Sequence, residues 1–380
     1  MKTTRKVLAM FTAVVMMFAL CSTAFADDAF KLGGIGPVTG GAAIYGQAVK
    51  NAMEIAVEEI NAKGGIQFEM NFQDDAHDAE TSVNAYGTLM DWGMQILVGT
   101  VTSTPCAAVA PEAEADGVFT LTPSASSPSV LNGTTHVFQM CFSDPNQGIA
   151  SADYIAENAM SEAIAVIYNN GDAYSTGIYE KFAEEAAVKG LNVVYTGTFT
   201  DDSATDFSTQ LTAAQQAGAD MFFLPIYYTP ISLIMAQAAA MNYEVKYFGV
   251  DGMDGLLDLE GFDTALAEGA FLLTPFSADK DDELTANFVA TYREKYGETP
   301  NQFAADAYDC VYAVAAVCEA AGVTSDMDAD EIGEALVAAF TDGFTFSGLT
   351  GENMTWATSG EVSKSPMAVV ITDGAYVSAK

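Results

Sequence analysis

Strand-length apolar runs and helix-length amphipathic segments alternate along nearly the whole chain, which restricts the fold to parallel sheets covered by helices on both faces. A strand over residues 30–35 precedes a helix over 44–63, whose apolar stripe includes Val49, Met53, Ile55, Ala56 and Ile60 and which ends at Asn61 to Gly65. A strand at 67–73, a helix near 81–92 and strands at 95–98 and 117–121 follow. After Asp144-Pro145-Asn146 a second series begins with a helix at 148–158. Strands at 163–168, 191–195, 221–224 and 245–250 then alternate with helices at 175–189, 205–217 and 230–241. Helical patterns return at 281–296, 301–321 and 329–341, and strands at 367–371 and 375–377 flank the hairpin signal Thr372-Asp373-Gly374. A chain of this length exceeds what one core holds, so two domains are expected. No long Pro- or Ser-rich linker and no short-period repeat appears, so two similar lobes joined by several crossings fit best.

The first residues read as an address. Lys2, Arg5 and Lys6 precede an apolar run from Val7 to Leu20, and Ala24-Phe25-Ala26 supplies small residues before Asp27-Asp28. We read residues 1–26 as a signal peptide cleaved after Ala26, ranked above lipidation at Cys21 because the preceding Leu20 is bulky. The full chain carries a formal charge of −37, and losing those three cations leaves −40. Nucleic acid and anionic membrane surfaces need a basic face, so neither is an expected partner. Of the four remaining cysteines, Cys310 and Cys318 lie beyond disulfide reach along one helix, whereas a Cys106–Cys141 pairing stays open.

Two hydroxyl-rich loops, Gly99-Thr100-Val101-Thr102-Ser103-Thr104-Pro105 and Leu121-Thr122-Pro123-Ser124-Ala125-Ser126-Ser127-Pro128, read as strand-to-helix junctions. Ligands of open α/β sheets bind at the carboxyl ends of strands, where helix N-terminal N–H groups favour an anion. Serine and threonine there make a neutral cradle for a small carboxylate; on either loop alone they also read as ordinary N-caps. Asp251 follows the apolar strand ending Phe248-Gly249-Val250 and precedes Gly252, so it either pairs with a ligand ammonium or caps the next helix. Tyr45, Tyr174, Tyr227, Tyr228 and Phe303 stand near element starts, as pocket walls or as core.

Other chemistry is poorly supported. The glycines between Gly33 and Gly41 have Thr39 where a dinucleotide fingerprint needs glycine, and no phosphate loop is present. Asp74-Asp75-Ala76-His77-Asp78 reads as a capped strand end rather than a metal site. His136 has no evident catalytic companion. No metal, cofactor or catalysed reaction is expected.

At these residues the chain resembles the extracytoplasmic solute-binding proteins of branched-chain amino acid ABC transporters, the leucine/isoleucine/valine-binding family. The resemblance spans nearly the whole mature chain. It rests on Gly36-Pro37 with Gly40 and Tyr45-Gly46, on Ile60-Asn61-Ala62-Lys63-Gly64-Gly65-Ile66, on Asp74-Asp75 and on the two hydroxyl loops. It continues through Asp172-Ala173-Tyr174-Ser175-Thr176-Gly177, Asp206-Phe207-Ser208, Tyr227-Tyr228, Gly249-Val250-Asp251-Gly252 and Gly348-Leu349-Thr350-Gly351.

The resemblance implies a type I periplasmic-binding-protein fold: two doubly wound parallel-sheet α/β lobes, joined by a three-crossover hinge, that close on a free amino acid. Residues 27–143 and 274–352 would form the first lobe, and 144–273 and 353–380 the second. By the same resemblance, Ser103 and the Ser126 N–H would hold the ligand carboxylate. The Ser124 carbonyl, within the Ser124-Ala125-Ser126 loop, would hold the ammonium with the Ser126 hydroxyl and Asp251. Tyr45, Tyr174, Tyr227 and Phe303 would border the ligand. The implied partner is the membrane permease of an ABC importer, with the protein an exported monomer in the periplasm or on the extracytoplasmic face of the membrane. The chain departs from the family in carrying Asp251 for a glutamate and Tyr45 for a frequent tryptophan. It also has His77 and Thr102 where the family has a disulfide. Rival readings are a binding protein or sensory domain for another small solute, such as an aromatic amino acid or short amide, and an exported enzyme.

Overall fold

The computed structural model describes residues 29–379; the leader reading at 1–26, with Cys21, lies outside them. In the first lobe β1 (Phe30–Gly36), β2 (Phe68–Asp74), β3 (Ile96–Gly99), β4 (Phe119–Thr122) and β5 (Val137–Gln139) form a parallel sheet in the order β2-β1-β3-β4-β5. Helices α1 (Ala43–Lys63), α2 (Ala79–Trp92) and α3 (Ser103–Asp116) connect its first four strands. The second lobe runs α4 (Asp144–Glu157), β6 (Ile164–Asn169), α5 (Ala173–Lys189), β7 (Val193–Phe199), α6 (Ser208–Gln216), β8 (Met221–Leu224), α7 (Tyr228–Ala240), β9 (Lys246–Gly249) and β10 (Phe271–Thr274). The chain then returns to the first lobe as α8 (Glu283–Tyr296), α9 (Gln302–Ala321) and α10 (Ala329–Thr341), where α8 and α9 pack on α1 and α10 on β4. Finally β11 (Met367–Thr372) and β12 (Ala375–Ser378) complete a second sheet of order β12-β11-β10-β9-β8-β6-β7, parallel except for the pairings of β11.

Local chemistry explains these elements. The α1 stripe Tyr45, Val49, Met53, Ala56 and Ile60 is buried along its length, as 3.6-residue periodicity requires. The β11–β12 turn places Asp373 and Gly374 at φ 51° and 72°, the paired positive values of a two-residue hairpin. Helix α4 starts at Asp144, four residues before the expected start, because Pro145 falls in the first turn, where its missing N–H costs nothing.

Three expectations need correction. The second hydroxyl loop opens no long helix; it ends in a single turn of 3-10 helix, Pro128–Val130, before β5. Strands β5 and β10, three and four residues long, were not anticipated. Residues 353–364, expected in the second lobe, pack on the first. There the Trp356 indole donates to the Gln139 carbonyl at 2.9 Å, Gln139 N–H donates to Gly360, and Lys364 pairs with Asp306. The third crossing therefore lies between Lys364 and β11 rather than at 352. No helix among the described residues is long and apolar enough to cross a membrane.

Candidate functional site between the lobes

The carboxyl ends of β1, β3 and β4 face those of β6, β8 and β9, and the loops leaving them line a small cavity. In each sheet the site lies at the switch point, between β1 and β3 and between β6 and β8. Seven of the nine residues named from sequence line it: Tyr45, Ser103, Ser124, Tyr174, Tyr227, Asp251 and Phe303. Ala125 and Ser126 do not. Both are fully buried beside the cavity in the same loop, and the Ala125 carbonyl is taken by the Gln139 side-chain amide at 2.8 Å. Val101, Thr102 and Gly252 complete the lining. Sequence reasoning left these three out of the site, although each lies in or beside a stretch it singled out. A larger hollow, of about 950 Å³, lies between the second sheet's edge and α8, around Leu257, Arg293 and Tyr376. None of the nine residues borders it.

Hydroxyls bind the two loops of the first lobe to each other. Ser124 Oγ donates to the Val101 carbonyl and Thr122 Oγ1 to that of Thr100, both at 2.6 Å, while Ser103 Oγ accepts from Ser127 N–H at 3.2 Å. Thr102 occupies the N-cap of α3 without capping it; its Oγ1 instead lies 2.8 Å from His77 Nδ1. The two positions of the family disulfide are thus joined by a hydrogen bond. Cys106 and Cys141 are both free and buried.

Across the cavity, Asp251 opens a short 3-10 turn, not a long helix. Its Oδ1 accepts from the Tyr174 hydroxyl at 2.5 Å and from Gly252 N–H at 2.8 Å, and Oδ2 accepts from none of the described residues. Glycine is required at 252, since a Cβ there would stand 2.5 Å from the Tyr174 hydroxyl. Four rings wall the space: Tyr45 lies 4.2 Å from Phe303 and 5.6 Å from Tyr227, and Tyr227 stacks on Tyr174 at 4.8 Å, centroid to centroid. Burial pushes all three phenols far up, so they act as neutral hydrogen-bonding groups.

The lobes touch directly. Tyr45 donates to the Gly252 carbonyl at 2.5 Å and accepts from Tyr228 N–H, Thr229 Oγ1 donates to Gly41, and Thr104 Oγ1 donates to Asp172. This is a closed arrangement. The Asp74 to Asp78 stretch serves the fold: Asp74 accepts from Val38 and Ala76 N–H, Asp75 from His77 N–H, and Asp78 caps α2 through Thr81 N–H.

A family model described as periplasmic binding protein matches residues 29–375. The chain belongs to that family. A Leu/Ile/Val-binding protein homolog of Brucella melitensis is 28% identical over 356 residues, covering 92% of this chain and 93% of that protein. A leucine-, isoleucine-, valine-, threonine- and alanine-binding protein of Pseudomonas aeruginosa is 27% identical over 344 residues, 89% of each chain. Among solved structures, the branched-chain amino acid transporter substrate-binding protein LivJ of Streptococcus pneumoniae, in complex with isoleucine, superposes with a TM-score of 0.84. It is 26% identical, covering 93% of this chain and 99% of that one. The two-lobe architecture is that of type I periplasmic binding proteins.

Buried carboxyls set the acid response of this protein. Burial raises Asp251 and Asp254 to about 7 and, against the opposing pull of Lys364, Asp306 to about 6; Asp75, Asp144, Asp172 and Asp309 are raised as well. Between about pH 4 and 7 Asp251, Asp254 and Asp306 hold protons that the unfolded chain has already released, so stability rises as pH falls through that window. Glu114 works oppositely. Against the burial that raises it, the Thr135 and His136 N–H groups hold it down to about 2, and its contribution is complete above the ordinary carboxylate range and lost below it. Thermal unfolding is expected at a higher midpoint at pH 5 than at pH 8, and a midpoint that rises steadily from pH 5 to pH 8 would contradict this.

Proposed function

We propose that this protein is the extracytoplasmic solute-binding component of an ABC importer, and that it takes a free amino acid, foremost leucine, isoleucine or valine, into the interlobe cavity. One observation carries the reading: a neutral hydroxyl cradle on the first lobe faces a single buried carboxyl on the second, the polarity a zwitterion needs. Ser103, through hydroxyl and N–H, holds the ligand carboxylate with help from Ser126 N–H. The Ser124 carbonyl, the Ser126 hydroxyl and Asp251 hold the ammonium, and Tyr45, Tyr174, Tyr227 and Phe303 border the side chain. Ala125 contributes only as the residue between the two serines. Because the ligand touches both lobes, it biases the hinge toward closure, and the closed form docks on the permease. The protein acts as an exported monomer and catalyses no reaction. The ring-rich wall also suits an aromatic amino acid or a short amide, the second reading.

A thermal-shift screen of the protein against all amino acids and simple aromatic acids separates the two. A ligand at 100 times its Kd stabilises the folded state by about 2.7 kcal/mol, a rise of about 5–10 °C for lobes of this size. Small-angle scattering with the best ligand should then show a more compact particle of unchanged mass. A confirmed ligand that leaves the scattering profile unchanged would refute closure.

A further inference from the structure

Just behind the cavity lies a group of buried polar atoms that make no hydrogen bond. Asp144, fully buried in the first turn of α4, has no partner for either carboxyl oxygen, and neither the Ser126 hydroxyl nor the Gln147 side-chain nitrogen has one. Leaving such groups unpaired in a dry interior is costly, so a fold that keeps them together calls for an explanation. Their backbones are tied to the site: Asp144 N–H donates to the Ser126 carbonyl at 3.0 Å, and Gln147 Oε1 accepts from Asp251 N–H at 3.3 Å. One turn of α4 thus touches both the hydroxyl loop of the first lobe and the acidic residue of the second. Helix α5 seals the carboxyl from solvent. At Gly177 a Cβ would stand 3.1 Å from Asp144 Oδ2, tighter than ordinary contact, so a side chain there would push the carboxyl or the helix aside. Burial, the larger effect, disfavours the charged carboxyl. The Ser126 and Ser127 side chains lie near enough to favour it, without reaching hydrogen-bond geometry.

We propose that Asp144 is a positioning residue for the ligand, its carboxylate accepting a hydrogen bond from the Ser126 hydroxyl when the ligand binds and so turning the Ser126 lone pairs toward the ligand ammonium. The inference rests on the amino acid reading above. A hydroxyl fixed in this sense accepts from an ammonium and has nothing to offer a carbonyl in the same place, so Asp144 selects amino acids over their 2-oxo analogues. Gln147 holds Asp251 from the same helical turn.

Calorimetry with L-leucine, L-alanine and L-phenylalanine, each beside its 2-oxo acid, tests this. Asp144→Asn removes the charge that orients the Ser126 hydroxyl and replaces one of its two accepting oxygens with a donor, and is expected to weaken amino acid binding about tenfold, while oxo-acid binding changes by less than about twofold. Ser126→Ala should show the same loss, and the double variant no more than either single change. A purely structural role for Asp144 would weaken both ligand classes alike and add to the Ser126→Ala loss, and either result overturns the proposal. Where an oxo acid binds too weakly to measure, the double-variant comparison decides. Should Asp144→Asn fail to fold, Ser126→Thr, which keeps the hydroxyl, is compared with Ser126→Ala: retention against a tenfold loss supports the proposal, and equal affinities overturn it. If the unaltered protein binds none of the three amino acids, the amino acid reading fails and this inference with it. If it binds one and Asp144→Asn matches it, only this inference fails.

Discussion

Replacing Asp251 with alanine is expected to weaken amino acid binding at least about 30-fold. The carboxyl is 4% exposed, and its protein hydrogen bonds fall on Oδ1 alone. Its loss leaves a desolvated ammonium without a counter-charge, and removing one member of a buried charge pair costs about 2–5 kcal/mol, with each 1.4 kcal/mol equal to tenfold. Ser103→Ala should cost less, because the backbone N–H remains. The same carboxyl gives binding a proton signature. Burial lifts it to about 7, so near pH 7 roughly half a proton must leave when an ammonium arrives, and affinity should fall as pH drops below that value. Calorimetry in two buffers of different ionisation enthalpy measures both effects. Near-normal binding by a folded Asp251→Ala variant would reduce the residue to a turn-former and remove the main local support for an amino acid ligand.

The second large effect concerns the third crossing between the lobes. Lys364, with 1% of its side chain exposed, reaches Asp306 Oδ1 and Thr350 Oγ1, each at 2.6 Å, and Asp309 takes the Leu349 and Thr350 N–H groups at 2.9 Å. Lys364→Met strands Asp306 as an uncompensated buried charge, a loss of about 3–5 kcal/mol. An independent limit agrees. Asp306 can escape by protonating, which from an ordinary carboxylate value near 3.9 costs about 4 kcal/mol at pH 7 and about 1.5 kcal/mol at pH 5. Urea unfolding of Lys364→Met should therefore show a deficit near 4 kcal/mol at pH 7 that shrinks by more than half at pH 5. A deficit independent of pH would mean that packing, not charge, sets the importance of this residue.

How far the sequence carries the reader depends on the range over which each signal acts. Helix α1, the β11–β12 hairpin and the strand–helix alternation follow from periodicity and turn chemistry, which are local. Strands β5 and β10 escape because three or four residues cannot display a period; neighbouring strands specify them. The third crossing was misplaced because what keeps residues 353–364 on the first lobe is the reach of Trp356 to Gln139 and of Lys364 to Asp306, contacts over 217 and 58 positions. In the site, the hydroxyls and the acidic residue were visible as residue types at strand ends. Their exposure to the cavity was not: Ser124 lines it while Ala125 and Ser126 are fully buried beside it. Asp144 was read only as a boundary, since nothing in Asp144-Pro145-Asn146 announces a carboxyl left without a partner.

The contact between His77 and Thr102 has a consequence for where this chain can mature. A disulfide must be made by an oxidant, survives only in compartments that spare it, and is lost to reductants; a 2.8 Å hydrogen bond forms as soon as the loops after β2 and β3 that carry it come together. The four cysteines of the described residues do not restore that dependence. All are buried, and burial lifts Cys106 to about 11, Cys318 to about 12, and Cys141 and Cys310 well above their ordinary range, so almost no thiolate is available for exchange. The binding fold is thereby uncoupled from the redox state of its surroundings. Thiol reductants should leave its unfolding midpoint unmoved, and the protein can reach its closed form in a reducing cell interior as readily as outside it.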